Sequence, residues 1–236
     1  MKALLLAAGF GSRLEELTKA TPKCLMKVGG QTMLDHWLGK LDKLGVTDFL
    51  INTHYLADQV DAFISTHPLC DRINISFEPT LLGTGMSLVN HLEWLKTDDC
   101  FVVHVDNYCE DSLEGMCNAF RNRPSSCDGT MLVFKTNRPR ECGIVGYDDN
   151  FILTNFHEKV DDPPSSEASG AVYLFSASFL QELSSEAPTL YEVSKDLIPM
   201  MIGRINCYFT KGYFQDIGRP ETLAEANRWF LKYQAH

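Results

Sequence analysis

The feature that most limits how this chain can fold is its opening. Lys2–Ala8 is a short, unbroken apolar run that stops at Gly9 and Gly11. A strand hydrophobic on both faces and closed by glycines belongs inside a parallel sheet, covered by helices on both sides. The residues that follow repeat the theme. Met33, Leu34, Trp37, Leu38, Leu41 and Leu44 recur every three or four positions and predict an amphipathic helix ending near Gly45. Phe49–Asn52 reads as a second strand and Ala57–Thr66 as a helix. Ile73–Phe77, Gly83–Leu95 and Phe101–Val105 continue the alternation as strand, helix and strand. This order predicts a doubly wound α/β fold with a mainly parallel, Rossmann-like mixed sheet.

Beyond about residue 125 the pattern becomes strand-rich. Thr130–Lys135, Gly143–Tyr147, Ile152–Phe156 and Ala171–Phe175 read as strands joined to the same sheet, and a helix runs from Pro220 to about Tyr233. No linker separates these parts. The expectation is therefore one domain over residues 1–236, with a first half at 1–125 and a second at 126–236.

Composition excludes several function classes. The net charge of −10 leaves no basic stripe for nucleic acid or an anionic membrane. Mean hydropathy is −0.13, and no stretch approaches the ~18 apolar residues of a membrane span. The apolar start is too short for a secretory leader. The eight cysteines show neither C-x-x-C pairs nor zinc spacing. They are expected to be buried, reduced thiols of a cytoplasmic protein.

Four segments carry polar chemistry at strand ends or loops. Ala8-Gly9-Phe10-Gly11-Ser12-Arg13-Leu14 follows the first strand, where glycines let a backbone approach a phosphate. Leu14 stands where a dinucleotide fingerprint needs its third glycine, which disfavours an NAD-binding oxidoreductase. Arg13 and, further on, Lys23 make a triphosphate site plausible, although a plain strand-to-helix turn accounts for the glycines equally well. Leu82-Gly83-Thr84-Gly85 opens the third helix and is by itself an ordinary helix start. Asp106 closes the fourth strand, at the carboxyl edge where α/β sheets bind ligands; Asp-Asn is also good turn chemistry. Phe156-His157-Glu158-Lys159 reads alone as solvated surface.

Taken in order, these segments resemble the sugar-1-phosphate nucleotidyltransferases, and within them the mannose-1-phosphate and heptose-1-phosphate guanylyltransferases. That family opens with a strand, A-G-x-G-x-R-L and T-x-x-x-P-K. Here these are Ala8 to Leu14 and Thr18 to Lys23, with Glu16 and Cys24 where prolines are usual. The later matches are Leu82-Gly83-Thr84-Gly85, Val105-Asp106-Asn107, Gly143-Ile144-Val145, Phe156-His157-Glu158-Lys159, Ser169-Gly170-Ala171-Val172-Tyr173 and Asp216-Ile217-Gly218-Arg219-Pro220-Glu221.

The resemblance implies a nucleotide-diphospho-sugar transferase fold that joins a nucleoside triphosphate to a sugar 1-phosphate and releases pyrophosphate. It implies that Ala8, Gly9, Gly11, Gly83 and Thr84 bind the nucleotide and that Arg13 and Lys23 act on the triphosphate as catalytic groups. Asp106 and Asp216 would bind Mg²⁺, and Gly143, Glu158, Lys159 and Ser169 the sugar phosphate. Leu81 and Leu82 replace the glutamine of pyrimidine-reading relatives, which leans towards GTP. Ser169 stands where the family has asparagine and leaves the sugar open. A CTP-dependent enzyme for phosphocholine or a similar phosphate, and a silent nucleotide-sugar-binding regulatory subunit, are the rival readings. The chain resembles the short, single-domain form; its oligomeric state is not legible.

Overall fold

A computed structural model describes all residues except Glu15, Ala187 and 234–236. The strands are β1 (Lys2–Leu6), β2 (Lys27–Val28), β3 (Gln31–Thr32), β4 (Asp48–Thr53), β5 (Ile73–Phe77), β6 (Cys100–His104) and β7 (Asn107–Cys109). They continue with β8 (Gly129–Lys135), β9 (Gly143–Tyr147), β10 (Leu153–Glu158), β11 (Glu167–Phe175), β12 (Ile205–Phe209) and β13 (Phe214–Asp216). The helices are α1 (Glu16–Ala20), α2 (Met33–Lys43), α3 (Ala57–Ser65), α4 (Thr84–Val89) and α5 (Leu92–Leu95). After these come α6 (Glu114–Arg121), α7 (Ala177–Glu186), α8 (Ile198–Met200) and α9 (Pro220–Tyr233). The expected α/β alternation of the first half is present. The third helix, read as continuous from Gly83 to Leu95, is two short helices broken at Asn90 and His91.

Two compact units emerge. One, here the outer unit, comprises Ala3–Leu81, His104–Asp111 and Gly212–His236; the other, the central unit, comprises Met1–Lys2, Leu82–Val103 and Ser112–Lys211.

In the outer unit β1, β4 and β5 lie in that order, and β4 pairs parallel with β5, Ile51 facing Ile75. Leu4, Leu5, Phe49 and Ile51 are fully buried, as continuous apolar strands require. The amphipathic pattern of α2 is realised, with Met33, Leu34, Trp37, Leu38 and Leu41 all buried. Thr32 caps its start, the hydroxyl accepting from the Asp35 N–H at 3.1 Å. Its end is a Schellman motif. Gly45, at φ +81°, donates to the Asp42 carbonyl, and Val46 donates to that of Leu41.

That helix seats a two-stranded ladder. β7 pairs antiparallel with β13, placing Asn107 opposite Asp216 and Cys109 opposite Phe214. Three α2 side chains hold the alternate carbonyls of this stretch: the Trp37 indole N–H donates to Asn107 O at 2.9 Å, and the His36 Nε2–H to Cys109 O at 2.9 Å. The Lys40 ammonium donates to Asp111 O at 2.7 Å. Burial, followed by the charge of Lys40, pushes the His36 pKa down to about 4, so the ring is neutral and its Nε2 carries the proton.

In the central unit β10, β9, β11 and β6 run in order, β8 pairs with β11, and β12 pairs parallel with β8. The strand-rich second half thus joins the sheet of β6 as the sequence suggested, with Tyr173 facing Val102 and Leu174 facing Phe101. All eight cysteines are free, and six are buried; burial pushes the thiols of Cys24, Cys109 and Cys207 up to about 12. Among the described residues no helix is long and apolar enough to cross a membrane.

Trp37 is fully buried and its N–H has a carbonyl to satisfy, so Trp37→Phe tests the seat of the ladder directly. The variant should lose about 1–3 kcal/mol, because the Asn107 carbonyl keeps its burial without its donor. Urea unfolding should show this as a lower midpoint at unchanged m-value.

Candidate active site

Within the outer unit the loop after β1 is held open by specific contacts. The Ala7 N–H donates to Asn52 Oδ1 at 2.7 Å, and Asn52 Nδ2 donates to Glu78 Oε1 at 2.9 Å. Asn52 and Glu78 are both buried. Gly11 sits at φ +66°, and a Cβ there would stand 2.7 Å from Thr18 Cγ2 and 3.2 Å from Lys23 Cβ. Only glycine fits both requirements. The Thr18 hydroxyl donates to Gly11 O at 3.1 Å and the Leu14 N–H reaches the same carbonyl at 2.8 Å. At Gly9 the space a Cβ would occupy is clear of neighbours within 4 Å. Ala8 is buried beside it, while Arg13 projects from the short 3-10 turn Ser12–Leu14, whose Leu14 is the buried anchor.

Four charged groups converge next to this loop. The Lys23 ammonium is ion-paired and hydrogen-bonded to Asp106 Oδ2. Asp216, far away in sequence, arrives through the β7–β13 ladder, helped by the Ile217 N–H donating to Asp106 O at 2.9 Å. The meeting point is marked by Gly218. A Cβ built there would lie 2.6 Å from Asp216 Oδ1, 3.0 Å from Lys23 Nζ and 3.3 Å from Arg13 Nη2. The Gly218 N–H also donates to Asp216 Oδ1 at 2.5 Å. The sequence-derived quartet of Arg13, Lys23, Asp106 and Asp216 is therefore assembled in one place.

The two carboxylates are driven apart in acidity. For Asp106, burial acts to raise the pKa, but Lys23 first and His104 second overcome it and hold the group down to about 2. For Asp216, burial and then the negative charge of Asp106 push the pKa up, against Lys23, the Gly218 N–H and Arg13. Two carboxylates that cannot both ionise comfortably make a place where added positive charge is favourable.

The donor set suits a hard divalent cation that keeps part of its shell. Among the described residues no group of three or more His, Cys, Asp or Glu side chains could cage a metal. Mg²⁺ dehydrates reluctantly and is usually bound by one or two carboxylates plus phosphate oxygens. Asp106 and Asp216 around the cradle at Gly218 fit that description.

The remaining sequence-predicted residues lie in the central unit. Gly83, at φ +86°, and Gly85 seat against the backbone of residues 190–191; a Cβ on them would meet Tyr191 O at 2.4 Å and Leu190 O at 2.7 Å. The Gly85 N–H donates to Tyr191 O at 2.8 Å. The Thr84 hydroxyl donates to Glu192 Oε2 at 2.7 Å and accepts from the Val193 N–H at 3.0 Å. Its oxygen is thus committed to tying down the segment that leads into the π-helix Val193–Leu197. What the loop can offer a ligand is backbone.

Gly143 pairs with Glu158 across β9 and β10, and a Cβ on it would stand 2.3 Å from the Phe156 ring and 2.7 Å from Glu158 Oε2. Lys159 follows in the left-handed region at φ +50°, at a cost of about 1–3 kcal/mol for a non-glycine residue. Its ammonium lies 3.1 Å from Glu158 Oε1; the lysine side chain is 55% exposed while the glutamate is mostly buried. Ser169 lies at an irregularity in β11, where its hydroxyl meets the Tyr173 hydroxyl at 3.2 Å and accepts from the Ala171 N–H.

Sequence reasoning missed four participants: Asn52, Glu78, Glu192 and Tyr173. Asn52 and Glu78 had a signal, since each is a polar residue ending an apolar strand at the ligand-binding edge. Glu192 had none, because its partner Thr84 is distant in the chain, and Tyr173, only four residues from Ser169, read as an apolar strand residue.

A mixed α/β fold of this kind, with cations and carboxylates gathered beside a glycine-rich loop, is that of the nucleotide-diphospho-sugar transferases. The solved structure of HddC from Yersinia pseudotuberculosis complexed with GMP-PN superposes with a TM-score of 0.77 over 97% of this chain and 99% of its own, at 22% identity. The chain belongs to the nucleotidyl transferase family, whose model matches residues 2–232. It is 28% identical to a mannose-1-phosphate guanyltransferase beta-B of Xenopus laevis, an alignment covering 100% of this chain and 66% of that protein. It is 29% identical to a mannose-1-phosphate guanyltransferase of Schizosaccharomyces pombe, over 94% of this chain and 62% of that protein. The chain therefore spans under two thirds of the length of these relatives.

The raised pKa of Asp216 has a sign. Folding favours its neutral form, so its contribution to stability is present in acid and is lost as pH rises through the folded pKa. Asp216→Asn keeps the oxygen that Gly218 binds and removes the charge. At pH 7 it should gain on the order of 1 kcal/mol, about 2–4 °C in Tm. Calorimetry at two pH values checks this, since the gain should fade in acid. Gly218→Ala should do the opposite to ligand binding, because its methyl group fills the point on which Asp216, Lys23 and Arg13 converge. Isothermal titration with a nucleoside triphosphate should find at least tenfold weaker binding, about 1.4 kcal/mol.

Proposed function

We propose that this chain is a Mg²⁺-dependent enzyme that transfers a nucleotidyl group from a nucleoside triphosphate, preferably GTP, to a sugar 1-phosphate. The products are a nucleoside diphosphate sugar and pyrophosphate, and the setting is the cytoplasm. The observation that carries this reading is the convergence of Arg13, Lys23, Asp106 and Asp216 at the Gly218 cradle, beside a glycine-rich loop. Family membership over nearly the whole chain supports it. The preference for GTP draws on the guanyltransferase names of the two relatives and on Leu81 and Leu82, where pyrimidine-reading relatives have glutamine.

The chemistry asks little of a base. A sugar 1-phosphate is already ionised at neutral pH, so one of its oxygens can attack the α-phosphorus in line while pyrophosphate leaves. The difficulty is to bring two polyanions together and to stabilise charge on the leaving group. In this reading Ala8, Gly9 and Gly11 present backbone to the triphosphate, and the clear space over Gly9 admits it closely. Arg13 and Lys23 neutralise the phosphates, and Lys23 meets the charge that develops on pyrophosphate. Asp106 and Asp216 hold Mg²⁺, which when bound supplies Lewis-acid stabilisation of the phosphoryl oxygens. Gly83 and Thr84 contact the base through main-chain groups, consistent with a Thr84 hydroxyl that is already committed. Lys159 takes the sugar phosphate, and Glu158, Gly143 and Ser169 meet the sugar. The absence of a Ser-His-Asp or Cys-His signature in the sequence agrees with a reaction that needs no protein nucleophile.

Purified protein should release pyrophosphate from GTP in the presence of Mg²⁺ and one member of a panel of sugar 1-phosphates. Lys23→Ala should lower kcat by about 10²–10³, as loss of one transition-state cation implies, and Asp106→Ala should abolish release. Lys159→Ala should raise KM for the sugar 1-phosphate and leave that for the nucleotide unchanged. Release only with CTP and phosphocholine would replace the sugar by a phospho-alcohol. No release, together with no nucleotide binding, would end the enzyme reading.

A further inference from the structure

The ammonium that the proposed reaction uses on phosphate is, in this structure, engaged with a carboxylate that it uses for metal. Lys23 is ion-paired with Asp106, and the pair is well shielded: the lysine side chain is 11% exposed and the aspartate 27%. The same ammonium lies 3.0 Å from the point at Gly218 that is 2.6 Å from Asp216 Oδ1. Lys23 therefore pairs directly with Asp106, and its charge reaches Asp216 as well. Arg13 approaches the same point, at 3.3 Å, and its charge acts on Asp216.

We propose that Lys23 is an exchangeable counter-ion of the Asp106–Asp216 pair, so that metal and triphosphate bind in a mutually dependent way. This deepens the transferase reading and rests on its assignment of the two aspartates to the metal. A dication arriving alone must displace a shielded ammonium and leave it uncompensated beside a second positive centre, which is costly. A polyphosphate gives the displaced ammonium a new anionic partner in a strong charge-assisted hydrogen bond. Because coupling of two ligands is reciprocal, the triphosphate then favours the metal as much as the metal favours the triphosphate. Lys23 serves both: it keeps the carboxylate pair neutralised before substrate arrives and grips the phosphates afterwards.

The test measures metal binding without turnover. Mn²⁺, read by electron paramagnetic resonance, is titrated into the full chain with no nucleotide present. Lys23→Gln should bind Mn²⁺ at least tenfold more tightly than the unaltered protein, and Arg13→Gln, which removes an equal charge nearby, should gain clearly less. Lys23→Met, checked for folding by circular dichroism, provides a second uncharged variant. An unchanged or weaker affinity in both Lys23 variants overturns the exchange, as does an equal gain in Arg13→Gln, which would reduce the effect to distant charge. If Asp106→Asn binds Mn²⁺ as well as the unaltered protein, the metal assignment falls and the exchange with it. Loss of binding in Asp106→Asn with no gain in the Lys23 variants overturns the exchange alone and leaves the transferase reading standing.

Discussion

Two acidic side chains cannot be drawn together away from water unless something positive is drawn in with them. Asp106 and Asp216 are in this position, and much of the outer unit answers to it. Lys23 is placed by the loop that Gly11 and Thr18 fold between them. Asp216 is placed by a ladder whose other strand is pinned to α2 by Trp37, His36 and Lys40. Gly218 leaves the meeting point free of side-chain atoms. The energetic cost of like charges at close quarters is offset here by position, since Lys23 is ion-paired with Asp106 and Arg13 projects from a turn anchored by buried Leu14. Natural proteins retain such unfavourable clusters at functional sites because the strain is relieved when ligand arrives.

The central unit solves a different problem with a different device. Its loop at Gly83–Gly85 and its strand end at Glu158–Lys159 depend on backbone conformations that most side chains avoid. Gly83 accepts the conformation without strain. Lys159 does not, and its left-handed backbone turns a long cation towards its own neighbour, Glu158. An arrangement that costs folding energy and leaves a lysine half-exposed beside a mostly buried carboxylate makes physical sense if a ligand is to sit on it.

How much of this could be read from the chain depended on how local the cause was. Periodicity placed α2 almost to the residue, because its burial follows a repeat visible within one window. The break between α4 and α5 left no mark in the apolar pattern; Asn90 and His91 are unremarkable until the turn is seen. Arg13, Lys23 and Asp106 were legible as charges at strand ends and loops. Their convergence with Asp216 was legible only through resemblance, since no sequence rule pairs Asn107 with Asp216. Asn52 and Glu78 showed only as polar residues at strand ends, and Glu192 not at all, because a hydrogen bond between distant residues has no local signature.

The contact between Gly83–Gly85 and residues 190–193 runs largely through main chain. Carbonyls of Leu190 and Tyr191 meet the two glycines, and the Thr84 hydroxyl completes the join with two bonds, to the Glu192 carboxylate and from the Val193 N–H. Such a seam is indifferent to the side chain of exposed Tyr191, asks for a buried Leu190, and is strict about the path of both. Anyone grafting this loop into a relative would have to carry Leu190 and Glu192 along with Thr84, and could leave the side chain of Tyr191 to drift. The glycine motif is thus half of a two-piece part whose other half is encoded far downstream, in a stretch that looks unremarkable when read alone.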